Sequence, residues 1–146
     1  MSSTVWRPRR ARAVAYVMAT AVMVLMIGLA VLVQGTFKLP DRIGLVVFGG
    51  LVAGLLVVIA RAKAVAGPEG LTVVNPLRTH RFEWAQIVGV TFPPGAPWPY
   101  LDLADGRNVG VMGIQGSEGA SAREAVEELK VLLERYGEGQ EPTQDR

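Results

Sequence analysis

A chain of 146 residues of which 50% are apolar is too apolar for a wholly soluble domain, and favours a membrane segment with one small domain. The sequence has no cysteine, which excludes a disulfide framework, a thiolate metal site and a cysteine nucleophile. The formal net charge of +2 does not predict nucleic-acid binding, because arginines are concentrated at the N-terminus and acidic residues outnumber basic ones from Arg61 onward.

Two uncharged apolar runs predict membrane-spanning helices. The first, residues 13–33, follows a basic segment, residues 1–12, and the second covers residues 43–60. At about 1.5 Å per residue the first run covers a hydrocarbon core of about 30 Å, and the second lies at the short end of the spanning range. The first run is too long for the apolar region of a cleaved signal peptide, and a second run follows it. We therefore interpret both as spans of an anchor.

The charges flanking these runs predict their orientation. Arginines in residues 1–12, together with Arg61 and Lys63, flank the two spans on one side, whereas the turn 34–42 carries few cations. Because basic flanks stay in the cytoplasm, we expect a multi-pass protein of the cell membrane with both termini cytoplasmic and the turn extracytoplasmic. Trp6 is then expected at the inner headgroup layer. The spans carry no interior charge, which argues against an ion or proton path.

The second run contains a GxxxG pattern formed by Gly50 and Gly54. Glycines on a membrane helix allow another helix to approach closely, which predicts a packing surface. The partner is either a second copy of the chain or the first span, through Ala15, Ala19 or Gly28. The sequence leaves both alternatives open.

The part after the spans, residues 61–136, changes to short strands with turn residues between them. Alternating apolar residues and turn dipeptides predict about five strands, in segments 71–74, 78–84 and 87–92 and in a hairpin over 100–114 turned at Asp105-Gly106. Val88, Val90 and Phe92 are expected on one face, since side chains alternate along a strand. A proline-rich loop, residues 93–99, interrupts the strands because its prolines cannot donate to a sheet.

The last predicted element is an amphipathic helix over residues 121–136. Its apolar residues recur at spacings of three and four, and they are Ala122, Ala125, Val126, Leu129, Leu132, Leu133 and Tyr136. Residues 137–146 are expected to form a disordered tail. The predicted fold class is α+β, with a two-helix transmembrane hairpin followed by a curved antiparallel sheet whose open end or face the C-terminal helix covers.

The segments "GPEGLTVVNPLRTHRFEWAQIVGVTF" and "LDLADGRNVGVMGIQG", after two spans and before a closing helix, resemble small bacterial membrane proteins that carry a PH-like domain, of the low molecular weight protein antigen 6 type. The resemblance implies a PH-like split β-barrel or curved sheet that the C-terminal helix caps at one end and that is held at the cytoplasmic membrane. A complete PH fold has seven strands, so either the barrel is abbreviated or residues 62–66 supply a further strand. The dense basic motif of phosphoinositide-binding PH domains is missing here.

The candidate chemistry of the chain is sparse. His80 is the single histidine, so no metal site with paired histidines is predicted. Asp102 and Asp105 are more typical of a solvated pair than of acid–base catalysis, because Asp105 belongs to a turn. Three glycines lack the lysine of a phosphate-binding loop and indicate close packing instead: Gly110, Gly113 and Gly116. No catalytic residue, metal or cofactor is predicted, and we do not expect an enzyme.

The remaining candidates are contact surfaces. Arg78, His80 and Arg81 form a modest basic group, and Trp98 on the proline-rich loop either contacts a partner or the bilayer surface, or packs under its own loop. The sequence therefore predicts a membrane-anchored, non-catalytic binding or adaptor module that meets the lipid bilayer and an unidentified protein partner, and no nucleic acid. The alternative is an oligomerising structural or accessory subunit that associates through its transmembrane hairpin.

Overall fold

The structure, a computed structural model, describes residues 3–137 and divides the chain into two compact units. One unit is Ala11–Arg61, and the other combines the segment before it with the segment after it. The helices and strands are β1 (Thr4–Trp6), α1 (Arg9–Leu32), α2 (Leu39–Ala60), β2 (Lys63–Ala66), β3 (Gly70–Val74), β4 (Thr79–Glu83), β5 (Ile87–Thr91), β6 (Tyr100–Leu103), β7 (Asn108–Gly110) and α3 (Ala120–Gly137). Apart from Gly137, the tail predicted over 137–146 lies outside the described residues.

The helical unit contains α1 and α2, of 24 and 22 residues, both long and apolar enough to cross a membrane. Helix α2 begins at Leu39, earlier than the apolar run suggested. Pro40 lies in the first turn of α2. Proline is favoured there because backbone N–H groups of the first turn have no acceptor within the helix, so the missing N–H of proline costs no hydrogen bond. The Asp41 carboxylate accepts a hydrogen bond from the Lys38 backbone N–H at 2.9 Å and so caps the start of α2. Because α2 begins at Leu39, the turn between the helices is shorter than predicted.

The second unit contains two antiparallel sheets and α3. One sheet has the order β1-β2-β3-β4 and the other the order β5-β6-β7, so the described strands form two separate sheets and not a closed barrel. Residues 63–66 supply β2, which is the further strand that the resemblance left open. The described residues thus hold seven strands where the sequence predicted about five.

The strand that the sequence analysis missed altogether is β1, because it precedes the first apolar run. Thr4, Val5 and Trp6 pair with Ala66, Val65 and Ala64 of β2. β-Branched and aromatic residues favour this extended conformation, and the following Pro8 cannot donate to a continued sheet. The domain predicted over 61–136 therefore also includes a strand from the segment 1–12.

Trp6 shows why this short strand is held. Its side chain is 8% exposed and belongs to the core of the sheet unit, and its indole N–H donates to Glu128 Oε2 of α3 at 2.9 Å. The indole thus packs inside the domain, where it finds both apolar contact and a hydrogen-bond acceptor. Its expected place near the headgroup layer stays a prediction.

Helix α3 closes over the core as its apolar stripe predicted. Ala122, Val126 and Leu129 are buried, and Tyr136 stacks on Trp84 with ring centroids 5.6 Å apart. Trp84 is fully buried, and its indole N–H donates to the Gly67 carbonyl at 2.9 Å. The core is therefore formed where α3, the two sheets and Trp84 meet.

One face assignment fails at β5. Val90 and Phe92 are packed against the core, but Val88 is 69% exposed. The pairing with β6 shifts between Ile87 and Gly89, which indicates a bulge at Val88. An extra residue in one strand breaks the alternation of side chains, so Val88 leaves the face that the two-residue pattern assigned to it.

Candidate functional site

The basic group formed by Arg78, His80 and Arg81 is divided by the fold. His80 and Phe82 are half-buried on one face of β4, where their rings stack with centroids 5.8 Å apart. Arg81 is exposed on the opposite face, since neighbouring side chains of a strand point to opposite sides. Arg78 is exposed just before the strand. The three residues are adjacent in sequence but do not form one surface.

Trp98 is half-buried and packs on the second sheet. A Cβ added at Gly110 would lie 2.5 Å from Trp98 Nε1, so the indole rests directly on the backbone of β7. The neighbouring Pro99 is fully buried, and its carbonyl accepts a hydrogen bond from Val111 N at 2.9 Å. The loop therefore holds Trp98 in one place, with part of the ring still accessible.

The two aspartates have separate structural roles. Asp105 lies in the β6–β7 turn beside Gly106, whose φ of 85° is one that glycine adopts without strain. Hydrogen bonds to Asp105 from the Arg107 backbone and guanidinium lower the pKa of this carboxyl below its ordinary value. Asp102 Oδ2 accepts a hydrogen bond from Thr91 Oγ1 at 2.7 Å. Within residues 3–137 no group of three or more metal-ligating side chains occurs.

The glycines at every third residue mark close packing, as predicted. Gly110 lies under Trp98, and a Cβ at Gly113 would lie 2.5 Å from Ala64 N. A Cβ at Gly116 would lie 2.6 Å from the Ala96 carbonyl oxygen. These positions bring the chain between β7 and α3 against β2 and against the proline-rich loop.

The glycines of α2 are divided between two faces. A Cβ at Gly49 would lie 2.9 Å from Met26 Cγ, so Gly49 provides the close contact with α1. Gly50 and Gly54 are exposed, and a Cβ at either would meet no atom within 4 Å. The GxxxG pair thus lies outside the contact between α1 and α2.

A groove between the proline-rich loop and α3 was not identified from the sequence. It has a volume of about 870 Å³, and its lining includes Phe92, Pro94, Pro97, Val126, Arg123 and Lys130. The Gly116 N–H donates to the Pro97 carbonyl at 2.7 Å, which fixes the loop next to the start of α3. The proline-rich segment and Gly116 were its only signals in the sequence.

The chemistry of this groove suits binding more than reaction. Phe92 and Val126 offer apolar surface, whereas Arg123 and Lys130 contribute cations along α3. Lys130 Nζ is 3.1 Å from Glu127 Oε1, an exposed ion pair worth little to stability. A concave surface that combines apolar side chains with a few charged groups can hold a ligand or a peptide.

Comparison with known proteins identifies the sheet unit. The bacterial PH domain family matches residues 61–131. An uncharacterized protein of Mycobacterium bovis and one of Mycobacterium tuberculosis are each 33% identical over 132 residues, which cover 90% of this chain and 86% of the relative. No solved structure matches the chain. The chain therefore belongs to the same family as these mycobacterial proteins, and its sheet unit carries the match to the bacterial PH domain.

Proposed function

We propose that this protein is a membrane-anchored, non-catalytic binding module of the antigen 6 type. Helices α1 and α2 span the cell membrane, and both termini and the PH-like domain are cytoplasmic. Anchoring raises the effective concentration of the domain toward partners in the same membrane, so moderate affinities suffice for binding. The observation that carries the proposal is the pairing of β1, which precedes α1, with β2, which follows α2.

This pairing restricts how the helices cross a bilayer. The chain leaves the sheet at Trp6 and returns to it at Lys63, and Trp6 pairs with Ala64. Paired strands lie about 4.8 Å apart, so a bilayer cannot separate them. An even number of crossings satisfies that condition, and two apolar helices lie between the strands. The basic residues beside these strands favour the cytoplasmic side.

Cysteine accessibility tests this topology, because the natural sequence contains no cysteine. Thr36→Cys places a thiol in the turn between the helices, and Glu69→Cys places one in the exposed β2–β3 turn. We expect a membrane-impermeant maleimide to label Thr36→Cys in intact cells and Glu69→Cys only after lysis. Labelling of both thiols in intact cells would contradict a spanning hairpin, and labelling of Glu69→Cys alone would reverse its orientation.

We further propose that the groove between the proline-rich loop and α3 receives a protein partner. Site-specific photo-crosslinking in membranes tests this, with the photoreactive residue at Arg123 in the groove or at exposed Arg107 in the β6–β7 turn as the control. We expect an adduct from position 123 alone. Gly116→Val should remove it, because the added side chain displaces Ala96 and deforms the groove. Equal adducts from positions 123 and 107 would contradict a specific groove.

The alternative function, an oligomerising subunit, is supported by the open positions of Gly50 and Gly54. In lipid, exposed glycines favour association because they let a second helix backbone approach closely. Crosslinking in membranes should therefore give dimers that Gly54→Leu abolishes. Gly44→Leu is the matched control, since Gly44 is equally open but lies on a different face of α2. Unchanged dimers in Gly54→Leu would exclude this glycine surface.

A further inference from the structure

The most exposed large apolar side chain of the described residues lies in the PH-like domain and not in the apolar helices. Leu77 is 89% exposed. It belongs to the turn between β3 and β4, residues 75–78, which the Asn75 backbone N–H closes by donating to the Arg78 carbonyl at 2.9 Å. A leucine at the tip of a hairpin is stabilised when an apolar environment covers it, so a surface that receives Leu77 gains that free energy.

The turn holds Leu77 outward in a fixed geometry. The Asn75 side-chain amide donates to the Gly110 carbonyl at 2.8 Å, and Asn75 Oδ1 accepts a hydrogen bond from Met112 N at 3.2 Å. Both bonds tie the β3–β4 turn to the end of β7. Trp98 packs on the same Gly110, so its partly accessible indole lies beside this turn.

Strand register identifies the end of the sheet at which this turn lies. Trp6 pairs with Ala64, and Lys63 pairs with Val74, the last residue of β3. The turn after Val74 is therefore at the end where the chain leaves β1 toward α1 and enters β2 from α2. The β2–β3 turn, residues 67–69, is at the opposite end.

The charges at this end favour an anionic surface. Arg7 and Arg78 are exposed and Lys63 is half-buried, all at or next to the strand ends. Two carboxylates approach the same region: Glu128 accepts from the Trp6 indole, and Glu118 accepts from the Arg10 backbone N–H at 2.7 Å. Three cations against two carboxylates leave this end of the sheet with a net positive charge beside an apolar tip. That combination suits the boundary of anionic headgroups and acyl chains.

We propose that residues 75–78 dock on the anionic surface of the membrane in which α1 and α2 are anchored, with Leu77 inserted below the headgroups and Arg78 facing them. This inference rests on the proposed function, because it requires the helices to span that membrane. Its consequence is a domain held in one orientation on the lipid instead of swinging freely on its two connections. A partner then meets the groove in a defined position.

Fluorescence quenching by lipids that carry a quencher in the upper acyl chain tests the docking in the full-length protein. Three cysteine variants carry the same fluorophore in vesicles of anionic lipid: Thr79→Cys beside the tip, Glu69→Cys at the opposite end of the sheet, and Leu51→Cys on the exposed face of α2. We expect strong quenching at position 51, at least twofold more quenching at position 79 than at position 69, and a loss of that difference in Leu77→Ser. The exposed position of Leu77 lets this substitution leave the fold intact.

The outcomes separate the two proposals. Quenching at position 51 with equal quenching at positions 79 and 69 would overturn the docking and leave the anchor standing. A difference that persists unchanged in Leu77→Ser would also overturn the role of Leu77. No quenching at position 51 would overturn the membrane anchor and the docking with it. Replacing the anionic lipid with a neutral one should reduce the quenching at position 79 and leave that at position 51 unchanged.

Discussion

Replacing Trp6 with alanine tests whether a strand before the first apolar helix belongs to the PH-like domain. Trp6 is 8% exposed in the core of that domain. Truncating a buried tryptophan to alanine costs about 3–5 kcal/mol through lost contacts and the cavity left behind. Glu128 also loses the indole N–H that donates to it at 2.9 Å. Because β1 has only three residues, we expect it to detach from β2.

Hydrogen exchange of the full chain in detergent measures this loss locally. A tenfold change in an equilibrium corresponds to about 1.4 kcal/mol, so exchange of β2 amides should accelerate by about two to three and a half powers of ten. Val5→Ala is the matched control, since Val5 lies on the same strand with 43% exposure. Its cost should be about 1 kcal/mol, because nearly half of the side chain stays in water.

A second variant separates the hydrogen bond from the packing. Glu128→Gln keeps a side-chain oxygen that accepts from the Trp6 indole but removes the charge, so we expect a loss of about 1 kcal/mol or less.

If the β2 amides exchange equally slowly in Trp6→Ala and in Val5→Ala, β1 is not part of the sheet. The argument that both ends of the hairpin lie on one side of the membrane then fails as well.

Two further predictions concern close packing in the same domain. Gly113→Ala should destabilise it by about 1–3 kcal/mol, because a Cβ there meets the backbone of Lys63, whereas Gly67→Ala has open space and should change the melting temperature little. Equal melting temperatures would contradict the packing. Asn75→Asp should lower the free energy of unfolding by about 1–3 kcal/mol, since a carboxylate cannot donate to the Gly110 carbonyl as the amide does. Denaturant unfolding measures this loss, and an unchanged midpoint would show that the turn is not anchored there.

Elements with a strong periodic pattern could be predicted from the sequence. The two apolar runs indicated α1 and α2, and the stripe from Ala122 to Tyr136 indicated α3, because a helix that buries one face must repeat apolar residues every three or four positions. The glycine of the Asp105-Gly106 turn lies at a positive φ as its pattern suggested. Helix boundaries were less exact, since α2 begins at Leu39.

Contacts between distant segments could not be predicted in the same way. The pairing of Trp6 with Ala64 joins residues on either side of two helices, and a three-residue strand carries too little periodicity to reveal it. The bulge at Val88 similarly depends on how β5 meets β6. The groove and the end of the sheet at which Leu77 lies follow from register, which a single strand does not specify.

The sequence by itself determined the class of the protein: two apolar helices, a small antiparallel domain and a helix with one apolar face, because these features depend on local composition and period. Only the tertiary structure decided which surfaces are available. In the folded chain His80 and Arg81 lie on opposite faces of β4, and Trp98 packs on Gly110. Helix α2 contacts Met26 of α1 through Gly49, which leaves Gly50 and Gly54 exposed. Each of these outcomes depends on which distant atoms occupy the space beside a residue, and that information is held in the packing of the folded chain.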